Sequence, residues 1–209
     1  MSTTRLSPET EKKYTVLVHD LTRMRNIWMQ YRSLYGTTPE RLELLRRTAA
    51  VFFAVMGNVL LEATVLGLAR LVDKPSTGKY YNMVLSSLLN TNEVRQNTVL
   101  MNRMSDSINK LERTLVPDLL ELRNKVLAHR DLKIATDPLY VAVFPSREHI
   151  ERCFLSIESY LNHFSEFFLG QHFRVTMLIR HPSDAEGLIS LLKKYEIITE
   201  SDDDLTSLL

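Results

Sequence analysis

Along most of the chain, apolar residues recur every three or four positions, the spacing of helices that bury one side. The first such segment runs from Pro8 to about Leu34, with Ser7 placed to cap it and Pro8 at the first helical position. "YGTTPE" ends it, and Thr38 and Pro39 open a second helix in the same way, predicted to reach Val72. "DKPSTGK" breaks the pattern with loop formers. A short helix is predicted near Tyr81–Leu89, and "NTNE" caps a long one from Glu93 towards His129. That helix carries the stripe Met101, Met104, Ile108, Leu111, Leu115, Leu119, Leu122 and Val126. Pro117 lies inside it, and its missing N–H predicts a kink or a restart. Ser146 caps a further helix to about Leu169.

Two stretches read differently. Leu139–Phe144 can form a short strand, and the alternation in "FRVTMLI", residues 173–179, reads as another, which would pair with Leu139–Phe144 or Glu196–Thr199. "HPSDAEGLISLLKKY" reads as a helix, followed by an acidic tail expected to be mobile. The expected fold is all-α: an up-and-down bundle of about five helices over residues 1–170, with a small C-terminal α/β appendage over residues 171–209.

Composition narrows the function classes. A hydrophobic content of 44% with 24% charged residues is that of a globular protein with a sizeable core. The net charge of +1 gives no general pull on nucleic acid or membrane, so an RNA-binding role needs a local patch. Residues 49–72 are long and apolar enough to span a bilayer, but Asn58, Glu62, Thr64 and Arg70 interrupt them. They read as a central helix of a soluble bundle. With no apolar signal region in "MSTTRLSPETEKKY", the expected location is cytoplasmic, away from membranes. Cys153, the single cysteine, reads as a buried apolar residue in a reducing compartment. Only six glycines are present and none forms a phosphate-binding loop. The histidines outside the motif below show no paired metal-ligand spacing, so neither metal nor cofactor is expected.

One stretch combines core spacing with chemistry. In "ELRNKVLAHRD", residues 121–131, Arg123 falls among Leu119, Leu122 and Val126, and His129 follows at the stripe's edge. Spacing alone favours a structural role: Arg123 lies across the bundle and pairs with a buried carboxylate such as Glu62, while His129 caps the helix end. The functional role uses the same residues. A rigidly held guanidinium is a fork for phosphate, and a histidine moves protons near neutral pH. Arg123 and His129 are about 9 Å apart along a continuous helix, so they converge only if Arg123 extends along the axis, if the helix ends before His129, or if a second protomer supplies a partner. A twofold dimer would bring two such stretches into one cleft.

"RNKVLAH", residues 123–129, resembles the signature of the HEPN superfamily of helical nucleotide-binding and ribonuclease domains: arginine, a polar residue, then histidine. The following "RD", the earlier "LARLVDKP" and the order of helices resemble its abortive-infection AbiU-like branch, over about residues 10–170. The resemblance implies a homodimeric, metal-independent ribonuclease that acts as a toxin or antiviral defence effector on RNA. An antitoxin or another defence-system protein is the partner to look for. Carried over residue by residue, His129 is general acid or base, Arg123 stabilises the phosphate, and Asn124 orients His129 or binds the phosphate. Some HEPN toxins are modified on a tyrosine two places after the histidine; here that place is Asp131, which lacks the hydroxyl. Some HEPN domains hold nucleotide or RNA without cleaving it. A helical protein–protein adaptor is the remaining alternative.

Four supporting residues complete the set. Asp131 is near enough in sequence to pair with Arg130 or Arg123, or to raise the His129 pKa. Arg70 and Asp73, three apart at the end of the second helix, read as a local ion pair that the resemblance places beside the motif. Glu62 reads as a buried carboxylate with one partner. Trp28, Tyr31 and Tyr35 form a helical aromatic series of the kind found in cores.

Overall fold

The computed structural model describes residues 6–36, 38–127, 132, 136–137, 139, 143–175 and 184–206. The fold is all-α. Its elements in chain order are α1 (Pro8–Tyr35), α2 (Pro39–Leu71), a minimal antiparallel hairpin of β1 (Ser76–Thr77) and β2 (Tyr80–Tyr81), α3 (Ser86–Leu89), α4 (Asn92–Arg95), α5 (Thr98–Thr114), α6 (Val116–Leu122), a π-helical turn (Arg123–Leu127), α7 (Arg147–Leu169) and α8 (Ala185–Thr206). Local chemistry explains the boundaries. The Ser7 hydroxyl accepts from the Thr10 N–H at the start of α1. Asn97 caps α5 by accepting from the Leu100 N–H, and Ser146 caps α7 by accepting from the His149 N–H. Gly170 closes α7 at φ 62°, the left-handed geometry that glycine adopts without strain.

The chain groups into two compact units, Met1–Arg25 with Thr64–Val175, and Asn26–Ala63 with Thr176–Leu209. In the first, Leu100, Met104, Ile108 and Leu111 of α5 face the buried side of α7, where Ile150, Phe154, Ile157, Leu161 and Phe164 are shielded from solvent. The α1 end of this unit supplies Leu17, Leu21 and Met24, and the α2 end supplies Val65, Leu68, Ala69 and Leu71. α1 and α2 approach closely at Gly67, where a Cβ would fall 1.7 Å from the Met24 Sδ. Tyr160 is fully buried and its hydroxyl donates to the Leu85 carbonyl at 2.7 Å, which ties α7 to the start of α3.

The second unit has its own core of Leu34, Leu44, Leu45, Phe53, Ala185 and Ile189. Arg41 pairs with Glu186 at 2.8 Å and Arg47 with Glu196. These contacts differ from the expected division at residue 170. α8 shares a core with parts of α1 and α2, because Ala185 and Ile189 are one turn apart and supply an apolar edge. Trp28 is fully buried, stacked on Tyr31, as the aromatic series predicted.

Several sequence expectations change. The hairpin replaces the start of the helix predicted from Tyr81, because Gly78 at φ 60° turns the chain back. The long helix after Glu93 is broken twice, at Gln96–Asn97 and at Leu115, and Pro117 marks a restart at the second residue of α6. Glu196–Thr199 is helical, and α8 runs on through the acidic stretch to Thr206. Residues 173–175 are irregular, as are 143–144; the rest of the two expected strands, apart from Leu139 in a turn, lies outside the described residues. α2 is central only in part. Its helical geometry is interrupted at Ala49, and Leu42, Val51, Phe52, Val55 and Val59 are exposed. By length and composition it is apolar enough to cross a membrane, and 17% of its most apolar window is buried.

Candidate functional site

The motif sits where the helical register changes. Leu115 leaves helical geometry at φ −125° and frees its carbonyl for the buried His149, whose Nε2 lies 2.9 Å away and must carry the proton to donate. His149 Nδ1 is 3.8 Å from the Asp118 carboxylate. This anchor on α7 fixes the direction of α6. On α6, Leu119 and Leu122 then face the core, 1% and 4% exposed.

At about 100° per residue, Arg123 lies about 40° from Leu119 on one side and about 60° from Leu120 on the other. It is therefore at the seam between the core face and a second face made of Val116, Leu120 and Asn124. That second face lines a cavity of about 780 Å³, whose other walls are Val72–Pro75, Ser86 and Glu112. The Arg123 side chain is 20% exposed and aims at the cavity wall.

Asp73 holds Arg123 there: Nη1 donates to the Asp73 carboxylate, and Nε donates to Asn124 Oδ1 at 3.0 Å. Burial alone would raise the Asp73 pKa, but the Arg123 guanidinium and the Lys74 backbone N–H, 2.8 Å away, bring it below the ordinary value. Asp73 is thus an acceptor fixed on both sides. Among the described residues the Nη2 arm of Arg123 has no hydrogen-bond partner.

Arg123, Asn124 and Asp73 are therefore brought together. Arg123 pairs with Asp73 where the sequence suggested Glu62, because the end of α2 runs past α6 while Glu62 lies more than two turns earlier on that helix. Arg70 and Asp73 do not pair with each other: Arg70 reaches Asp20 on α1 at 3.3 Å, because α2 ends at Leu71 and Asp73 leaves its helical phase. Glu62 is half-buried. His129 and Asp131 lie outside the described residues. Sequence reasoning missed Lys74, Pro75, Ser86 and Glu112 as cavity walls; the one local signal was the "DKP" that follows α2. Among the described residues, no group of three or more His, Cys, Asp or Glu is placed to hold a metal ion.

Residues 7–187, the greater part of the chain and all of the cavity, match the HEPN_AbiU2 family model, described as AbiU2. The chain belongs to the AbiU2 family of HEPN domains. No curated protein and no solved structure gives a significant match. Membership carries an HEPN-type, abortive-infection-associated function and agrees with the all-α fold. In this AbiU2-family protein the two described motif residues, Arg123 and Asn124, open a π-helical turn that follows α6 rather than continuing an α-helix. Such turns are frequent at functional sites, because they shift the phase of side chains that a regular helix would bury.

Proposed function

We propose that this AbiU2-family protein is a metal-independent RNA endonuclease of the HEPN type, a toxin or antiviral defence effector that works as a cytoplasmic homodimer. The observation that carries this reading is the placement of Arg123: its guanidinium is at a cavity wall, held by Asp73 and Asn124, and its Nη2 has no partner among the described residues.

The chemistry follows from the residues. His129, as base, takes the proton from an RNA 2′-hydroxyl; that oxygen attacks the adjacent phosphorus, and the bond to the 5′-oxygen breaks. The leaving oxygen takes a proton from a histidine acting as acid. The products are a 2′,3′-cyclic phosphate and a 5′-hydroxyl. Arg123 stabilises the extra charge on the pentacoordinate phosphorus, where a preorganised donor counts most. Asn124 orients the guanidinium through Nε. Two motifs across a twofold axis would supply the acid and the base together. The exposed apolar stripe Val51, Phe52, Val55 and Val59 on α2 supports self-association. An antitoxin or other defence-system protein is the regulator this reading calls for.

The test is incubation of the purified protein with mixed cellular RNA in the presence of a chelator, against His129→Ala and Arg123→Ala. Cleavage with cyclic phosphate ends, lost in both variants, is expected, with a dimer by light scattering. Identical RNA profiles for wild type and His129→Ala would sink the nuclease reading. RNA binding lost in Arg123→Ala, with no cleavage by any protein, would favour a non-catalytic RNA-binding module. A stable monomer would remove the composite site.

A further inference from the structure

The hairpin of β1 and β2 grows from the cavity wall at Lys74 and Pro75 and carries two exposed aromatic side chains. Its base is braced against the cavity wall: the Asn82 N–H donates to the Pro75 carbonyl at 2.8 Å, and Asn82 Nδ2 donates to the Lys74 carbonyl at 3.0 Å. Both Lys74 and Pro75 line the cavity with Arg123. The register pairs Ser76 with Tyr81 and Thr77 with Tyr80 around the turn at Gly78. Tyr80 is 68% exposed and Tyr81 92% exposed, although tyrosine usually hides most of its ring. The Lys79 ammonium lies 5.5 Å from the centre of the Tyr80 ring.

We propose that this hairpin is a stacking arm that selects single-stranded RNA for the Arg123 cavity. The proposal rests on the RNA reading above and deepens it by naming the substrate class. Neighbouring residues on a strand point to opposite faces, so the two rings serve separate bases. An aromatic ring stacks only on a base whose face is free, which excludes the interior of a duplex. Lys74 in the wall and Lys79 beside the Tyr80 ring supply positive charge, and Asp73 in the same wall is paired with Arg123. Glu112, also in the wall, carries the opposite charge. A ladder of two residue pairs is about 7 Å long, about two stacked nucleotide steps, and its base residues Lys74 and Pro75 share the cavity wall with Arg123.

The test is fluorescence anisotropy of the full-length protein in the His129→Ala background, which holds the probe intact. The probes are a short labelled oligo-uridine and a labelled blunt RNA duplex. Tyr80→Ala and Tyr81→Ala are expected to weaken oligo-uridine binding by about fivefold or more each, and Tyr80→Phe and Tyr81→Phe to stay within about twofold. Duplex binding is expected to be weak and unchanged by any of the four. Both rings are exposed, so thermal unfolding should not move. If the alanine variants bind oligo-uridine as the parent does while Arg123→Ala binds more weakly, the stacking arm is overturned and the RNA reading stands. Phenylalanine variants as weak as the alanine ones, or equal losses on the duplex, would overturn it also. A parent that binds neither probe overturns both readings.

Discussion

The ion pair between Asp73 and Arg123 should be measurable as a coupling, and its size can be worked from its surroundings. Both side chains are mostly shielded, 25% and 20% exposed. Fully exposed pairs contribute about 0.2–1 kcal/mol, while charge-assisted hydrogen bonds contribute about 1.5–3 kcal/mol. A pair between these limits should couple by about 1.5 kcal/mol. The assay is a double-mutant cycle: urea unfolding of wild type, Asp73→Ala, Arg123→Ala and the double variant at pH 7. Each single substitution should lower Tm by several degrees, at about 2–4 °C per kcal/mol for a chain of this size. The double variant should lose less than the sum, because each single one leaves a charge behind. The sign with pH is fixed. The Asp73 pKa is lowered in the folded protein, so its contribution is complete above the unfolded value of about 3.9 and fades as pH falls through the folded value. A coupling within about 0.3 kcal/mol of zero at pH 7 would refute the account of how Arg123 is held.

Two further outcomes are expected. The Glu93 carboxylate is held down to a pKa of about 2, chiefly by Ser7 and with help from the Thr10 hydroxyl. Wild type should therefore exceed Glu93→Gln in stability by about 1 kcal/mol at pH 7, less than full linkage because the group is partly solvated, and the gap should close as pH falls from about 4.3 towards 2. A gap that stays constant with pH in urea unfolding would contradict this. Burial pushes the Cys153 thiol up to about 12, so alkylation at pH 8 should be on the order of a thousandfold slower in the native protein than in urea. Equal labelling rates by mass spectrometry would show that the α7 core is open.

What could be read from the sequence was local. Ser7 with Pro8, Ser146 at the start of α7 and the restart at Pro117 are each set by a few neighbouring residues whose backbone preferences agree with the final fold. Arg123 and Asn124 stand out as site residues through the resemblance of "RNKVLAH" to the HEPN signature, also a local signal. What stayed hidden depends on distant pairs. Nothing near Glu93 shows that its carboxylate will meet the start of α1, and nothing near His149 shows that it will meet the Leu115 carbonyl. Tyr81 is followed by apolar residues at helical spacing, which predicts a helix start where the hairpin ends; the turn at Gly78 outweighs that short pattern. Arg70 and Asp73 matched an ion-pair spacing that holds only while the helix continues, and α2 stops between them.

The last of these failures has the largest consequence for function. Had α2 run one turn further, Asp73 would have stayed in helical phase with Arg70, and the two would have neutralised each other at the i, i+3 spacing. Termination at Leu71 releases Asp73 into a bend, where the following N–H and the Arg123 guanidinium both bind it. Arg123, at the seam of α6, could pack its stem on the core with its head in the cavity or fold back along the helix. A carboxylate fixed on its far side favours the first arrangement, since a guanidinium near a shielded surface needs an acceptor before it is stable there. The end of one helix thus decides where the arginine of another can point, and the Asn124 side chain then sets the plane of the fork. Under the proposed function, a phosphate arriving in the cavity would meet a guanidinium already oriented, and the entropy of ordering that side chain would have been lost in folding rather than in binding.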